Sequence, residues 1–274
     1  MKVSIFTDEI STDPTRAIEL AAQWGLKHVE VRDLPGGRFP RPQDDELKRF
    51  LAGVRDAGLS VSGVSPGFFK CPIEDPAVPL KMREQLPRAC EWALQYGVDQ
   101  LTCFGFARDD SDGVPTEVID GLGQMADIVI EHGCRLVLEN EAICWGATGL
   151  EAAAMIRKIG SERIQLCWDP GNSAHAGSAH SFPDEYERIK DLIVHVHMKN
   201  YDPAGSSWQL LETGVVDWTG QLAALRADGY EGFVVIETHL SISLDEFKRI
   251  DHDLDALEAN SYRNLQFVRS RQSQ

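Results

Sequence analysis

The chain has 274 residues, which is long for an average single domain but is the usual size of a closed α/β barrel. Hydrophobic residues make up 43% and charged residues 26%, a composition that excludes an intrinsically disordered protein. The 27 basic and 43 acidic side chains give a net charge of −16, which repels polyanions, so we expect no nucleic-acid partner.

The chain has no stretch near the roughly 20 apolar residues that cross a bilayer, and its first residues lack the apolar run of a signal peptide. We therefore expect a cytoplasmic protein with no membrane partner. Its six cysteines are scattered and contain no CxxC pair, which predicts free thiols.

Eight short, β-rich apolar segments are typical of buried strands: 2–6, 28–31, 60–64, 100–104, 134–139, 164–168, 192–198 and 233–237. Between them, apolar residues recur at three- and four-residue intervals, as in TRAIELAAQWG, which predicts helices. Several of these helices end at a glycine just before the next strand, where a left-handed residue lets the chain reverse: Gly25, Gly58, Gly97, Gly133 and Gly229.

This alternation predicts an α/β fold, a single (β/α)8 TIM barrel over residues 1–274 with a polar, loosely packed tail over 263–274. Helices cover the faces of a parallel sheet, and closure removes its edges. An open, doubly wound sheet is the alternative. The first strand, however, is followed by TDEISTDP, which is not the glycine-rich turn of a dinucleotide site.

Four successive predicted strands end in a side chain that can bind a metal, in the order Glu139, Asp169, His197 and Glu237. The C-terminal ends of barrel strands form the active face, so these side chains meet there. Three carboxylates brought together would raise one another's pKa unless a cation neutralised them. The sequence therefore predicts a divalent metal site, with Mn²⁺ favoured by the oxygen-rich donor set and Mg²⁺, Co²⁺ or Zn²⁺ as alternatives.

Other roles are open for some of these residues and their neighbours. A strand-end carboxylate can simply cap the next helix, and Asp169 before Pro-Gly-Asn has that turn chemistry. His195 lies one layer deeper than His197, so we expect it to support the site from below. Asp8 and Glu9 are expected to begin the loop after the first strand.

Six further side chains are predicted to bind substrate: Asn172, Trp145, Lys199, Glu30, Arg32 and Phe68. The two aromatic rings would stack on an apolar sugar face, with packing in the core as the alternative. The charged side chains would contact substrate hydroxyls or a carboxylate, with interior salt bridges as the alternative.

The motifs HVEVR (28–32), LVLENE (136–141), LCWDPGN (166–172), HVHMKN (195–200), ETGVVDW (212–218) and VVIE (234–237) carry a family resemblance. The chain resembles the xylose isomerase-like barrel superfamily, in its sugar phosphate isomerase/epimerase branch, over nearly its whole length. That branch includes ketose 3-epimerases, hydroxypyruvate isomerase and inosose dehydratase. The resemblance implies the same four metal ligands and a homo-oligomer.

Two positions depart from the commonest family patterns. Asn172 stands where ketose epimerases commonly carry a substrate-binding histidine, and Asn200 stands where many members carry aspartate. Substrate preference therefore does not carry over from the resemblance.

The predicted function is a divalent-metal-dependent isomerase or epimerase of a small sugar or keto-sugar. A metal that bridges a carbonyl and a neighbouring hydroxyl acidifies the C–H between them and stabilises the resulting enediolate. Glu139 and Glu237 are the predicted catalytic residues, one removing the proton and one returning it, as two glutamates do in the epimerases that the chain resembles.

Three other functions are weighed against this one. A metal-dependent lyase or dehydratase of a keto-inositol or 3-keto-glycoside begins with the same proton abstraction. An apurinic endonuclease needs a trinuclear zinc cluster and a basic surface, which eight histidines and a charge of −16 disfavour. A non-enzymatic sugar-binding barrel would leave two proton-transfer carboxylates without a use.

Overall fold

Eight parallel strands form one sheet in the computed structural model, which describes residues 1–160, 162–240 and 253–272. The strands are β1 (Lys2–Ile5), β2 (His28–Val31), β3 (Ser60–Phe68), β4 (Gln100–Cys103), β5 (Arg135–Glu139), β6 (Ile164–Trp168), β7 (Ile193–Met198) and β8 (Phe233–Ile236). Their order in the sheet is β1-β8-β7-β6-β5-β4-β3-β2. A parallel bridge between Phe6 and Glu30 joins the two outer strands, so the barrel is nearly closed.

All eight predicted strands are confirmed, and so is the α/β barrel. The five glycines predicted to end helices have φ between +71° and +81°, the left-handed conformation that the reversal requires. The positions of the strands and the ends of the helices could be predicted because apolar periodicity and glycine placement are both local properties of the chain.

Helices cover the outside of the sheet. The longer helices are Pro14–Gln23, Asp44–Asp56, Leu86–Gln95, Thr116–Glu131, Gly149–Ile159, Trp218–Ala227 and Ala256–Gln272. Shorter helical turns are Thr7–Ile10, Val78–Leu80, Lys81–Gln85, Pro170–His175, Ser181–Glu185, Tyr186–Ile189 and Lys190–Leu192. Two antiparallel ribbons project from strand ends, Asp33–Leu34 with Gly37–Arg38 and Asn200–Asp202 with Ser207–Gln209.

The last helix includes most of the segment predicted to form a loosely packed tail. Ala256–Gln272 continues through most of the 263–274 segment, and Leu265 and Val268 on it are fully buried. Its buried face also carries polar side chains, Glu258, Asn260, Ser261 and Asn264. Among the described residues, no helix combines the length and apolar character needed to span a membrane. The six cysteines are free, as predicted.

Candidate metal centre

The four predicted metal ligands meet at the C-terminal end of the barrel. Glu139, Asp169, His197 and Glu237 each offer a donor atom, and these atoms all lie within 4.8 Å of one another. All four side chains are buried, with at most 5% exposure. They come from β5, β6, β7 and β8, which are neighbours in the sheet.

Two of the buried donor atoms make ion-pair contacts but no hydrogen bond of good geometry: Oδ2 of Asp169, 3.1 Å from Nζ of Lys199, and Nδ1 of His197, 3.2 Å from Oε1 of Glu139. Asp169 uses its other oxygen, Oδ1, to accept the backbone N–H of Asn172 at 2.9 Å and so caps the helix Pro170–His175. Capping and metal binding are therefore compatible in this residue, on different oxygens. A buried polar atom without a well-aligned hydrogen bond is unfavourable, and a cation between these two atoms would satisfy both. The donor set thus fits a divalent ion.

Glu30 orients His197 from below. Its carboxylate accepts hydrogen bonds from Nε2 of His197 at 3.2 Å and from Nε2 of His195 at 2.9 Å. The Gln100 amide lies 3.0 Å from Nδ1 of His195, which assigns the Nε2 proton to that ring as well. Because Nε2 of His197 is directed at Glu30, Nδ1 is the nitrogen that faces the centre and would bind a metal in place of its proton, an arrangement common behind metal-binding histidines.

Glu30, predicted to bind substrate, lies below the mouth in this structure. Its side chain is fully buried beneath His197, and Ser62 supplies a third hydrogen bond at 3.0 Å. No oxygen of Glu30 is left to face the barrel mouth. His195 lies one layer below His197, in the place expected of a supporting residue.

Lys199 lies among the three carboxylates. Its Nζ is 3.0 Å from Oε2 of Glu237, 3.1 Å from Oδ2 of Asp169 and 3.9 Å from Oε1 of Glu139. One ammonium group can balance only one of the three. Burial raises the pKa of Asp169 to about 7 although Lys199 opposes the shift, and the charges of Glu237 and Glu139 add to it. Arg32 also pairs with Glu237 at 2.7 Å, so Asp169 and Glu139 share the ammonium group of Lys199.

Arg32 is fully engaged in ion pairs at the mouth. Its guanidinium donates to Asp8, Glu9 and Glu237 over distances of 2.6 to 2.8 Å. Asp8 and Glu9, expected to begin a loop, lie on the turn Thr7–Ile10 and face this arginine. Both Arg32 and Lys199 thus follow the salt-bridge alternative more closely than the predicted contact with substrate.

His239 is a site residue that the sequence analysis did not single out. Its Nδ1 lies 2.9 Å from Oε1 of Glu9 and its Nε2 lies 2.9 Å from Oε1 of Glu237. Burial would lower the pKa of His239, but Glu237 and Glu9 raise it to about 9, so the ring is positively charged at neutral pH. Its φ of +51° is unusual for a residue other than glycine. The sequence signal for His239 is its position two residues after Glu237, because residues i and i+2 of an extended chain point to the same face.

Asn172 contacts a predicted ligand directly. Its Nδ2 donates to Oε1 of Glu139 at 3.3 Å and to the carbonyl of Asn140 at 2.8 Å. The turn that carries it lies close to β7, because a Cβ at Gly171 would come within 2.6 Å of the Lys199 carbonyl oxygen. The glycine of the DPGN motif therefore allows this close approach.

The two aromatic residues predicted to stack on sugar lie in the hydrophobic core. Trp145 is 2% exposed and Phe68 is 5% exposed. The Trp145 ring is covered by the guanidinium of Arg108 at 5.1 Å, and the Phe68 ring lies 5.7 Å from that of Phe69. Their placement matches the packing alternative.

A different aromatic group lines the mouth. Trp208, on the ribbon after β7, is partly exposed, and its ring lies 5.3 Å from Nζ of Lys199 and 5.6 Å from the His239 ring. Tyr201 and His175 pack against it at 5.2 Å. An aromatic face beside the metal centre is suited to an apolar sugar face. The ribbon lies in a loop with no strand or helix periodicity, so the sequence did not reveal it.

Comparisons with known proteins identify relatives of this architecture. The sequence matches the family described as Xylose isomerase-like TIM barrel over residues 18–260. An inosose dehydratase from Geobacillus thermodenitrificans is 24% identical over 135 residues, which cover 44% of this chain and 45% of that protein. The match thus spans less than half the length of that relative.

Solved structures share the fold over the whole chain. D-allulose 3-epimerase from Methylomonas sp. in complex with D-allulose has a TM-score of 0.74 and 19% identity, covering 99% of this chain and 97% of that chain. IOLI protein with a bound zinc atom has a TM-score of 0.76 and 18% identity, covering 100% and 99%.

Proposed function

Because the chain belongs to the xylose isomerase-like TIM barrel family, we propose that it is a divalent-metal-dependent isomerase or epimerase of a small sugar or keto-sugar. One observation carries this proposal. Four buried donor atoms on adjacent strands lie within 4.8 Å of one another, and two of them make no hydrogen bond of good geometry. Burying three carboxylates together is energetically unfavourable, and clusters of this kind are found most often at functional sites.

The proposed ligands are Glu139, Asp169, His197 and Glu237, with Mn²⁺ as the proposed ion. The three carboxylates favour a hard cation, because carboxylate oxygens are the ligands that such ions prefer. When bound, the ion would polarise the substrate carbonyl and make the neighbouring C–H more acidic.

Glu139 and Glu237 are the proposed proton-transfer residues. They come from the outer two of four adjacent strands, so they reach the centre from two sides. Burial would raise the pKa of each, but His197 and Lys199 lower that of Glu139, and Lys199 with His239 lowers that of Glu237. Both are ionised at neutral pH and can accept a proton. One removes the C–H proton, and the other returns a proton to the opposite face or to the neighbouring carbon.

The substrate is proposed to be a carbohydrate because the mouth combines an aromatic face with polar side chains. Trp208 offers the stacking surface, and Asn172 offers an amide beside Glu139. The bound D-allulose of the Methylomonas epimerase is a substrate of this kind in a barrel of the same fold.

A second candidate is a metal-dependent dehydratase or other lyase of a keto-inositol or 3-keto-glycoside. The sequence match to an inosose dehydratase favours it. Both reactions start with proton removal next to a carbonyl. They differ in whether a leaving group on the next carbon then departs.

The test is a panel of ketoses, keto-inositols and 3-keto-glycosides incubated with the protein and Mn²⁺ in D₂O and followed by NMR. The proposal expects deuterium at the carbon next to the carbonyl, and an isomer or epimer as product. A dehydrated or cleaved product would select the second candidate. The absence of exchange in every compound, with Mn²⁺ shown to be bound, would contradict both.

Two variants assign the roles within that assay. Glu139→Gln and Glu237→Gln should each reduce exchange by about 10²-fold or more, the size of a lost general acid or base. Mn²⁺ affinity is measured in parallel, because both residues are also proposed ligands. Glu131→Gln, at an exposed helix end, is the matched control and should keep full activity. Retained exchange in both site variants would overturn the assignment.

A further inference from the structure

Arg38 stands apart from the other cationic side chains at the barrel mouth. Four cations that follow strand ends each pair with a carboxylate: Arg32 with Glu237, Lys70 with Glu141, Arg108 with Glu151 and Lys199 with Asp169. For Arg38, no carboxylate oxygen lies within 4.0 Å among the residues that the structure describes.

The Arg38 side chain is held in place by groups that carry no charge. Its Nε donates to the Ser65 carbonyl at 3.0 Å and its Nη2 donates to the Ser65 hydroxyl at 3.2 Å. The guanidinium lies against Gly67, where a Cβ would collide with it. Two of the five N–H groups of an arginine are used in this way, so three remain for another acceptor.

Arg38 lies over the C-terminal half of β3, the part of that strand nearest the barrel mouth. Burial and then the charge of Arg32 lower its pKa, while Asp33, across the ribbon, and then Glu139 and Glu237 act in the opposite direction. The charges of the two proposed proton-transfer residues therefore act on Arg38, although neither residue forms an ion pair with it. A partly buried guanidinium without a counterion is unfavourable, and a ligand anion would relieve this.

We infer that Arg38 binds a carboxylate of the substrate, so that the substrate is a keto-sugar acid or a related hydroxy keto acid. A planar guanidinium with free parallel N–H groups matches a carboxylate bidentately. One positive charge also suits a monoanion better than a phosphate dianion, and no helix begins at this ribbon to add backbone donors. This inference rests on the proposed function only in placing the substrate at the metal centre.

The test measures binding, not turnover, so its outcome is separate from that of the exchange assay. The full-length protein with Mn²⁺ is titrated by calorimetry with 5-keto-D-gluconate, D-fructose and D-fructose 6-phosphate. Glycolate serves as a smaller carboxylate probe, whose binding depends less on the shape of the pocket. We expect both carboxylates to bind, and the keto acid to bind at least about tenfold more tightly than D-fructose, as for a hydrogen bond to a charged group.

Variants of Arg38 separate charge from shape. Arg38→Gln should remove the preference for 5-keto-D-gluconate while leaving D-fructose binding unchanged, and Arg38→Lys should restore part of it. Arg108→Gln, which removes an arginine already paired with Glu151, is the matched control and should keep the full preference. Circular dichroism confirms that each variant is folded.

Three results would overturn the inference. They are no binding of either carboxylate, a preference for 5-keto-D-gluconate that survives in Arg38→Gln, and a preference for D-fructose 6-phosphate that depends on Arg38. Carboxylate binding that depends on Arg38, without any deuterium exchange, would support the anion site while contradicting the proposed isomerase.

Discussion

Oε1 of Glu30 accepts a hydrogen bond from Nε2 of His197 at 3.2 Å, although the two residues are 167 positions apart in the chain. This bond determines which nitrogen of the ring faces the metal centre. We expect Glu30→Gln to lower Mn²⁺ affinity by about 10- to 100-fold, because an amide no longer accepts from both His195 and His197 with a full negative charge. Calorimetric titration with Mn²⁺ measures this loss.

The control for that experiment is Glu131→Gln, the same change at an exposed position. It should bind Mn²⁺ as the natural protein does. Unchanged affinity in folded Glu30→Gln would show that the carboxylate beneath His197 plays no part in binding the ion.

Metal removal provides a test that needs no substrate. At a free ion concentration 100-fold above its dissociation constant, Mn²⁺ should stabilise the folded protein by about 2.7 kcal/mol, which corresponds to a rise of roughly 5 to 10 °C in melting temperature. Melting curves with Mn²⁺ and with EDTA measure the difference. Asp169→Asn should lose the shift, because an amide replaces the carboxylate whose Oδ2 would bind the ion. Equal melting temperatures of the natural protein in both conditions would count against the metal site.

The strands and the four candidate ligands could be predicted because both signals are local. A carboxylate or imidazole that closes an apolar strand is conspicuous, and strand alternation places it at the mouth. Glu30 shows the limit of that argument. It is the residue before the last of β2, yet its side chain is fully buried and its carboxylate bonds to His195 and His197.

Arg38 and Trp208 show a second limit. Both lie on short ribbons outside the barrel strands, where no periodicity predicts which way a side chain points. What distinguishes Arg38 is the lack of an ion-pair partner within the described chain, and that property depends on the positions of every neighbouring carboxylate. It can be read only from the folded structure.

Gly171 is predicted to be intolerant of a side chain. A Cβ there would lie 2.6 Å from the carbonyl oxygen of Lys199, which is backbone and cannot rotate away. We expect Gly171→Ala to destabilise the protein by about 1–3 kcal/mol, as overpacking does, and to weaken Mn²⁺ binding by displacing the turn that carries Asp169. Chemical denaturation and calorimetry measure the two effects.

Gly53→Ala is the matched control for that change. Gly53 lies within the helix Asp44–Asp56, and the atom nearest to a new Cβ is a terminal methyl of Ile18 at 3.3 Å. Alanine favours a helix by up to about 1 kcal/mol, so this variant should be no less stable than the natural protein. A similar loss of stability in both variants would mean that the backbone contact at Gly171 is not the cause.

Asn200 is the position where many family members carry aspartate, and its contacts explain the amide in this chain. Its Nδ2 donates to the carbonyl oxygens of Leu211 and Val216, while its Oδ1 accepts the backbone N–H groups of Tyr201 and Val216. A carboxylate could keep the second pair of bonds but would face two carbonyl oxygens with no hydrogen to donate.

We therefore expect Asn200→Asp to lower the free energy of unfolding at pH 7 by about 2 kcal/mol or more, because two buried acceptors lose their donor. Burial and the two carbonyls would raise the pKa of the new carboxyl in the folded state. The loss should consequently shrink as the pH falls through that raised pKa, since protonation restores one donor. Denaturation at pH 7 and pH 5 measures this, with Gln124→Glu at an exposed helix position as the control. A loss that does not depend on pH would place its cause outside the amide contacts.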